Sequence, residues 1–346
     1  MRRHKHLYDR VACFENLLAA ARTALRGKRG RAPGAAFFAV LEHEVAALHR
    51  ELREGSYRHG PYHYFQIHDP KTRTVAAADF RDRVVHHAIV RVLEPLFEPR
   101  LIEDTYACRK GRGNHAAMRR AAGFARRFAF ALECDVSRYF PSIDHELLLG
   151  QVERVVADPR LLALIRHIVA SHVDGETTEW VGEGLFDVRV RRRGLPIGNL
   201  TSQFLANVYL SPLDHFVKHE LRLPGYARYM DDFLLFDHDR ARLRAHGRAV
   251  KAKLGELRLR MHPDKYRLRP TRVGVDFVGF VVFADGRIRV RRASVRRFER
   301  RYRRQRFEVE HFGADVKALT TSVQAWVAHA QHAHSQDLRR AVLGRR

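Results

Sequence analysis

The stretch Tyr226-Ala227-Arg228-Tyr229-Met230-Asp231-Asp232-Phe233-Leu234-Leu235-Phe236 sets two adjacent acids between two apolar and aromatic runs. This pattern predicts a strand, a tight turn and a second strand, with the carboxylates at the turn. Adjacent side chains on a strand point to opposite faces, so we expect Asp231 to be the main ligand at a shared site and Asp232 the second. Taken alone, the pair is also compatible with an ordinary turn, because Asp tolerates turn geometry.

A second strand carries another acid upstream. The apolar run that begins at Phe128 leads through Glu133 and Cys134 to Asp135, which we expect at the end of a strand. Two strand ends that each present an acid provide the carboxylate oxygens that Mg²⁺ prefers. Two such ions about 3.5–4 Å apart stabilise both the attacking and the leaving oxygen of a phosphoryl transfer. The sequence therefore predicts a site for two Mg²⁺ ions.

The composition indicates a polyanionic partner. The 346 residues include 64 Lys and Arg against 39 Asp and Glu, which gives a formal net charge of +25. Such an excess repels itself in the free protein and is best explained by binding to nucleic acid. No apolar run approaches the roughly 20 residues that span a bilayer, and no apolar signal core follows the basic N-terminus, so we expect a cytoplasmic protein with no membrane partner. Three widely spaced cysteines exclude a disulfide framework and a Cys-based zinc site of usual spacing.

Two segments bring cations to places where phosphates could bind. Lys71 and Arg73 follow a turn on an extended segment and point the same way, which suits a triphosphate, although two solvated cations on an edge strand would look the same. Further along, Cys108 to His115 mixes three cations with two glycines before a helix. Glycines let the backbone approach a phosphate chain closely, and a helix N-terminus favours anions.

A glycine and proline loop precedes a long apolar helix pattern. Residues Gly194 to Asn199 form the loop, and the helix is predicted to run from there to about Leu221. Such a loop exposes its backbone and could seat a base pair beside the acids. It could equally be an ordinary helix entry.

In chain order, these motifs resemble those of reverse transcriptases. Four matches carry the resemblance: Tyr229 to Asp232 with the YxDD signature, Asp135 and Phe140 with the first acid motif, Lys71 and Arg73 with finger residues that hold the triphosphate, and Val278-Gly279-Phe280 with the primer-grip turn. The resemblance spans about residues 60 to 285. It implies an α+β protein with the right-hand polymerase fold, in which fingers and palm combine mixed or antiparallel sheet with helices and the thumb is helical.

The same resemblance implies domain boundaries. We expect a helical N-terminal extension at residues 1–58, fingers with the start of the palm at 59–134, a palm at 135–285 with a finger insertion near 159–193, and a basic helical thumb at 286–346. About 60 residues follow the last palm strand, so we expect a thumb there and no RNase H, maturase or HNH endonuclease domain.

The resemblance also implies roles for individual residues in RNA-directed DNA synthesis, in which dNTPs extend a DNA or RNA primer on an RNA template to give cDNA. The implied catalytic acids are Asp135, Asp231 and Asp232. The implied Mg²⁺ ligands are Asp135, Val136, Asp231 and Asp232; the nucleotide contacts are Lys71, Arg73, Phe140, Ile197, Gly198 and Gln203; and the nucleic-acid contacts are Arg109, Lys110, Arg112 and Gly279. An aromatic ring at Phe140 can occupy the space of a ribose 2′-hydroxyl, and it can also be a core aromatic under the palm.

The finer resemblance is to the reverse transcriptases of diversity-generating retroelements. It rests on the segments Phe80 to Ala88, Tyr106 to Gly113 and Ile197 to Gln203. Group II intron enzymes and most other bacterial relatives have a Gln before the glycine and a Ser-Pro at the end of the last motif, where this chain has Ile197 and Gln203. In the family this departure accompanies error-prone copying at template adenines, assisted by a small basic accessory protein. Gln could hydrogen-bond the nascent base pair whereas Ile only fills volume, so polar discrimination is lost.

Two other interpretations remain open. The chain could be the reverse transcriptase of a retron, a group II intron or a phage-defence system. It could also be a non-catalytic RNA-binding protein whose polymerase centre is idle, although the presence of all three acids weighs against this.

Overall fold

The computed structural model describes residues 3–28, 30, 32–68, 72–180 and 188–344. The helices are α1 (Tyr8–Ala12), α2 (Phe14–Ala24), α3 (Ala32–Ala39), α4 (Leu41–Glu54), α5 (Phe80–Phe97), α6 (Asn114–Arg127), α7 (Tyr139–Ser142), α8 (His145–Glu153), α9 (Pro159–Ala170), α10 (Leu200–Tyr209), α11 (Ser211–His215), α12 (Arg240–Glu256), α13 (Arg292–Phe312), α14 (Val316–Ala330) and α15 (Gln336–Leu343). The strands are β1 (Tyr62–Ile67), β2 (Arg73–Ala78), β3 (Phe130–Asp135), β4 (Gly175–Trp180), β5 (Val188–Arg193), β6 (Gly225–Tyr229), β7 (Asp232–Asp237), β8 (Arg267–Pro270), β9 (Val275–Phe277), β10 (Phe280–Val282) and β11 (Ile288–Val290). These elements confirm the α+β class.

The chain divides into two compact units, each assembled from separate stretches. The first contains Met1–Ile102, Ser137–His215 and Lys253–Arg260. The second contains Glu103–Val136, Phe216–Ala252 and Met261–Arg346.

The second unit is built around a four-stranded antiparallel sheet in the order β6-β7-β3-β8. From Ala131 to Asp135, β3 is buried, so its apolar residues form a run instead of an alternating pattern, as expected of a strand covered on both faces. Helix α6 packs on β6 and β7, and also on β9 and β10 of the three-stranded sheet β11-β10-β9. The same core continues into α13 and α14, where the Phe298 and Trp326 rings stack with centroids 4.2 Å apart.

The first unit packs helices around α5. Helices α2 and α10 both lie against α5, and the two-stranded ribbon of β1 and β2 precedes it in the chain. The N-terminal helices are tied into this unit: the backbone N–H groups of Leu7 and Tyr8 donate to Asp158 Oδ2 at 2.7 and 2.8 Å. A further two-stranded ribbon, β4 with β5, follows α9.

A buried histidine lies at the centre of α5. His86 is 1% exposed, and its Nε2 atom lies 3.2 Å from His59 Nε2. Burial, and next the nearby His59, lower the pKa of His86 to about 3. Neighbouring Asp82 accepts from the Tyr57 hydroxyl at 2.6 Å, which satisfies this second buried polar group of the helix.

The prediction of one helix from the 194–199 loop to about Leu221 was wrong. Helix α10 ends at Tyr209, α11 covers Ser211–His215, and a π-helical turn follows at Phe216–Glu220. Pro212 explains the interruption, because proline has no N–H to continue the backbone hydrogen-bond ladder and its ring clashes with the preceding turn.

Within the described part of the chain, no helix is both long and apolar enough to cross a membrane.

Candidate functional site

Two acids lie at a two-residue turn between β6 and β7. Tyr229 pairs with Asp232, so Met230 and Asp231 form the turn. Met230 has φ +58°, the left-handed conformation that the first central position of a tight hairpin requires. The predicted strand-turn-strand structure of this stretch is confirmed.

A buried arginine stabilises the turn through a hydrogen bond to its backbone. Arg228 is 0% exposed, and its Nη1 atom donates to the carbonyl oxygen of Met230 at 2.9 Å. Its backbone joins the segment before α6, because Arg228 N–H donates to the Asp104 carbonyl and Tyr106 N–H donates to the Arg228 carbonyl, at 2.9 and 3.0 Å. This network holds a non-glycine residue in a strained conformation at the tip.

The third acid lies directly across the sheet. Asp135 ends β3 and pairs in register with Asp232 at the start of β7, and side chains directly opposite on antiparallel strands are close neighbours. The Val136 N–H donates to the Asp231 carbonyl at 3.1 Å, and the His262 N–H donates to the Asp135 carbonyl at 2.8 Å. The register thus places Asp232 opposite Asp135, with Asp231 one residue away in the turn.

The charges of these acids are only partly balanced. Burial, followed by the negative charges of Asp135 and Asp231, raises the pKa of Asp232 to about 8. The positive charges of Lys265 and Arg291 lower the pKa of Asp232 and so oppose this rise. Lys265 also forms an ion pair with Asp135, through its Nζ atom and Asp135 Oδ2.

This donor set suits a hard divalent cation. Among the residues that the structure describes, no group of three or more His, Cys, Asp or Glu side chains forms a preformed metal site. Mg²⁺ normally takes one or two protein carboxylates and completes its shell with substrate phosphates and water. Asp135 and Asp232 supply such carboxylates, and a cation between them would relieve the repulsion that raises the Asp232 pKa. Val136 has an apolar side chain, so only its carbonyl oxygen could take part.

An open cavity borders Asp232. Its volume is about 490 Å³, and Lys265, Arg267, Arg291 and Arg292 contribute to its wall. Asp276 shares the wall and is bonded to Arg291, with Oδ1 and Nε 2.9 Å apart. Glu133 also lines the cavity, so its four cationic side chains outnumber its three acids by one, and the cations suit phosphate oxygens.

In the first unit, the structure brings Arg73, Ile197 and Gly198 to one place. The carbonyl of Ile197 accepts from the Ala76 N–H of β2 at 3.0 Å. Gly198 has φ +113°, and a Cβ atom there would lie only 2.7 Å from Val75 Cγ1. Arg73 is two residues before Val75 on the same strand and is exposed, so it shares a strand face with Val75 beside this loop.

Phe140 and Gln203 contact the two ends of the same loop through backbone hydrogen bonds. The Phe140 carbonyl accepts from Leu195 N–H at 3.0 Å, and Gln203 N–H donates to the Asn199 carbonyl at 3.2 Å in the first turn of α10. Phe140 is half-buried and makes an edge contact with Tyr139, their ring centroids 5.7 Å apart. Lys71 lies outside the described residues.

The cations of the glycine loop before α6 have different environments. Arg109 is 9% exposed and donates from Nη1 to the Thr105 carbonyl at 2.7 Å, so its side chain holds the loop together. Lys110 is exposed, and Arg112 lies over the Tyr106 ring at 5.9 Å.

Gly279 occupies the two-residue turn between β9 and β10. Gly279 has φ +89° and Val278 has φ +44°, a combination that tight hairpin turns need and that glycine adopts without strain. The Arg291 N–H donates to the Gly279 carbonyl at 3.0 Å, which ties this turn to the segment before α13.

Sequence reasoning did not identify Lys265 as a site residue. It lies in a short 3₁₀ segment, Pro263–Lys265, that follows α12, and it is 130 positions from its partner Asp135. A lysine at the end of a His-Pro-Asp turn carries no local signal of such a partner. The pairing of β3 with β8 and the bond from the His262 N–H to the Asp135 carbonyl bring the two together.

Comparisons with known proteins identify the family of this chain. The family described as "Reverse transcriptase (RNA-dependent DNA polymerase)" matches residues 67–282. The chain is 28% identical over 314 residues to the protein YkfC of Escherichia coli strain K12, covering 77% of this chain and 79% of YkfC.

More distant relatives are longer than this chain. The group II intron-encoded protein LtrA of Lactococcus lactis subsp. cremoris is 28% identical over 182 residues, which is 51% of this chain but 28% of LtrA. A solved telomerase from Candida albicans, in complex with a fragment of telomeric RNA, matches with a TM-score of 0.45 and 12% identity over 72% of this chain and 51% of the telomerase chain. That similarity is too weak to carry an argument.

Proposed function

Since the chain belongs to the reverse transcriptase family and is an RNA-directed DNA polymerase with the right-hand polymerase fold, we propose that Asp135, Asp231 and Asp232 form its catalytic centre. The single observation that carries this proposal is the register of β3 and β7, which sets Asp135 opposite Asp232 beside a turn that contains Asp231. The substrates are an RNA template, a DNA or RNA primer and dNTPs, and the product is cDNA.

The chain's own residues bind and orient the reactants. The carboxylates of Asp135 and Asp231, assisted by Asp232 and the Val136 carbonyl, would hold the cations, and the buried Arg228 keeps their turn in place. Two Mg²⁺ ions held by these residues would lower the pKa of the primer 3′-hydroxyl and would neutralise charge on the pyrophosphate leaving group. Lys71 and Arg73 neutralise the triphosphate, and the guanidinium plane of Arg73 packs against the templated base pair.

The remaining proposed contacts position the nucleic acid. Ile197, Gly198 and Gln203 lie beside the nascent base pair, with the loop held against β2 by the Ile197 and Ala76 hydrogen bond. Lys110, Arg112 and Gly279 contact the nucleic-acid backbone, and Arg109, the fourth predicted contact, holds the loop of Lys110 and Arg112 in shape.

Primer extension tests the catalytic assignment. Wild-type protein and Asp231→Asn are incubated with an RNA template, an annealed DNA primer, dNTPs and Mg²⁺, and the products are resolved by length. Losing a Mg²⁺-binding carboxylate should reduce the rate by at least about 10³-fold. Asp285→Asn is the matched control, because Asp285 is also a turn acid and its carboxylate bonds to the neighbouring Arg287. Extension by Asp231→Asn at the wild-type rate would refute the assignment, and RNA binding without extension by the wild type would favour a non-catalytic RNA-binding protein.

We propose further that copying is error-prone at template adenines and serves sequence diversification, as in diversity-generating retroelements, with a small basic accessory protein as partner. Support comes from Ile197 and Gln203 at the two positions where group II intron enzymes have Gln and Pro. Because the Ile197 backbone is bonded to β2, exchanging its side chain should change the contact with the base pair and leave the loop in place.

Sequencing of cDNA made by wild type and Ile197→Gln, with and without a candidate accessory protein, tests this subtype. We expect wild-type errors to concentrate opposite adenine, and Ile197→Gln to reduce them several-fold by restoring a polar contact. Ile197→Leu, which restores no polar group, is the control. Faithful copying by the wild type would instead favour a reverse transcriptase of a retron, phage-defence system or group II intron, the last being the type to which the similarity with LtrA points.

A further inference from the structure

A second basic cavity lies in the first unit. Its volume is about 460 Å³, and four arginines line it: Arg138, Arg193, Arg258 and Arg260. The hydroxyl-bearing residues Ser137 and Ser142 share the wall. These six residues come from three separate stretches of the chain that no motif connects, so they were not recognised in the sequence.

The arginines have few acidic partners. Arg258 bonds to Asp144 Oδ2 at 2.6 Å and lies 3.4 Å from Glu146 Oε2. Within the described ranges, the guanidinium groups of the other three make no ion pair with a carboxylate. The one acid in the wall, Asp174, already contacts His172, with Nε2 and Oδ2 3.1 Å apart. The cavity therefore concentrates more positive charge than its acidic neighbours neutralise.

Backbone contacts hold these stretches together. The Ser137 N–H donates to the Arg260 carbonyl at 2.8 Å, and the Asp174 N–H donates to the Arg193 carbonyl at 2.9 Å. Arg193 lies over Gly175, where an added Cβ atom would come within 3.0 Å of the Arg193 Nε atom. The backbone stretches that carry the arginines thus hold fixed positions around the cavity.

Two of the arginines have strained backbones. Arg138 has φ +46° and Arg258 has φ +55°, the left-handed region that non-glycine residues rarely adopt. Strain of this kind persists only where the surroundings impose it, and it concentrates at ligand-binding sites.

We propose that this cavity binds a pyrophosphate group. Guanidinium groups match phosphate oxygens in planar, two-point contacts, and serine hydroxyls can donate to the same oxygens. A pyrophosphate group carries several negative charges in a small volume, which suits four converging cations. An RNA backbone carries one charge per phosphate along a line and would suit a row of cations instead.

The proposal rests on the proposed function for its choice of ligand, because DNA synthesis consumes a triphosphate and releases pyrophosphate. Ser137 and Arg138 follow Asp135 in the chain by two and three residues. The group has two possible sources, released inorganic pyrophosphate and the terminal phosphates of an incoming dNTP, and both present the same chemistry.

Calorimetric titration without template or primer tests the site directly. Inorganic pyrophosphate, dTTP and inorganic phosphate are titrated into the full-length wild type and into the double variant Arg193→Gln/Arg260→Gln. We expect the double variant to bind pyrophosphate at least tenfold more weakly. Arg50→Gln is the matched control, because Arg50 is exposed on α4 outside the cavity, and it should change binding less than twofold. Arg193→Lys/Arg260→Lys should restore part of the affinity, which distinguishes lost charge from misfolding.

The ligands distinguish the two sources. Tighter binding of pyrophosphate than of dTTP identifies a product site, and the reverse identifies a site for the incoming triphosphate. Equal pyrophosphate binding by wild type and double variant overturns the proposal. The proposal is also overturned if the double variant loses as much template–primer binding as pyrophosphate binding. Fluorescence anisotropy measures the template–primer binding, and that result would identify an RNA-backbone site. No synthesis occurs in the titration, so the two proposals can fail separately. Arginine-dependent pyrophosphate binding with no primer extension by the wild type would refute the proposed function alone. Primer extension by the wild type with no arginine-dependent pyrophosphate binding would refute this site alone.

Discussion

Lys265 shows how one residue balances the charge of the acidic centre. Its ammonium group pairs with Asp135 and opposes the rise in the Asp232 pKa. A cation bound by the same carboxylates would compete with this ion pair. The lysine therefore stabilises the protein most when no divalent cation is present.

Replacing Lys265 by Gln should destabilise the metal-free protein by roughly 1 kcal/mol, a modest value because its side chain is 43% exposed and solvent screens the pair. Added Mg²⁺ should raise the melting temperature of Lys265→Gln more than that of the wild type, since the acids then lack their internal cation. Differential scanning fluorimetry with and without Mg²⁺ measures both effects. Lys253→Gln removes a surface pair with Glu256 and should not change the Mg²⁺ response. An equal Mg²⁺ response in wild type and Lys265→Gln would contradict the expectation.

Phe140 is the residue that we expect to exclude ribonucleotides. Phe140→Ala should increase rNTP incorporation relative to dNTP at least about tenfold, because space opens where a 2′-hydroxyl would lie. Single-nucleotide extension with rNTP and dNTP measures the ratio. Phe140→Tyr retains the ring and should retain discrimination. An unchanged ratio in Phe140→Ala would leave Phe140 as a packing residue.

At the scale of an element, hydrogen bonds fix the loop Ile197 to Asn199 against β2. Asn199 donates from Nδ2 to the Ala76 carbonyl at 2.8 Å, next to the bond between Ala76 N–H and Ile197. The loop and β2 therefore form one fixed surface, with Gly198 at the closest approach.

Gly198→Ala should lower the free energy of unfolding by roughly 1–3 kcal/mol, because its φ of +113° strains any side chain and Val75 leaves no room for one. Chemical denaturation measures the loss. Gly255→Ala is the control: Gly255 lies in helix α12 with nothing within 4 Å of an added Cβ, so alanine should stabilise by up to about 1 kcal/mol. Adding Val75→Ala should restore only part of the loss, since it relieves the clash and leaves the strained φ. Equal stability of Gly198→Ala and wild type would refute this account.

The buried His86 on α5 makes folding sensitive to acid. Its pKa of about 3 in the folded protein is far below the 6.5 or so of an exposed histidine, so the unfolded chain binds the proton first. Stability contributed by the neutral form is therefore fully present above pH 6.5 and is lost as pH falls toward 3, at up to about 1.4 kcal/mol per pH unit. Denaturation of His86→Gln between pH 7 and 4.5 should show a shallower decline than the wild type. His43→Gln, on the exposed side of α4, should follow the wild-type curve, and identical slopes for all three would contradict the prediction.

How much of this the sequence revealed depends on the range of each interaction. The hairpin of β6 and β7 and the position of Asp135 at the end of β3 were predictable, because strand patterns and turn residues are local. The break at Leu210 was missed because the apolar helix pattern continues across Pro212. The Lys265 ion pair and the converging arginines join segments more than 50 residues apart, and pairwise proximity of that kind leaves no trace in one sequence.

At the scale of the whole molecule, the excess positive charge includes a regular row on one helix. Arg296, Arg300 and Arg303 are exposed on α13, and their spacing of four and three residues puts them on the same face. In contrast, Arg304 and Arg306 are each paired with a glutamate four residues later. Within the described part of the chain, Arg296, Arg300 and Arg303 form no ion pair with an acid, so this row is suited to the phosphates of a duplex.

Replacing Arg296, Arg300 and Arg303 by Gln should weaken template–primer binding and flatten its dependence on salt. Each lost phosphate contact removes about 0.9 from the slope of log K against log salt, so the slope should fall by roughly 2–3. Fluorescence anisotropy at several salt concentrations measures it. Arg304→Gln/Arg306→Gln, whose arginines are already paired, should change the slope less. A triple variant with the wild-type slope would exclude this row from the interface.

The strand order β6-β7-β3-β8 also has a consequence for synthesis on the ribosome. Strand β3 is central, yet both of its neighbours come later in the chain, the last ending at Pro270. At 5–20 residues per second, roughly 7–27 s pass between translation of Asp135 and of Pro270. Throughout that interval this buried strand has at least one unpaired edge, so a nascent chain exposes it to chaperones and to neighbouring chains.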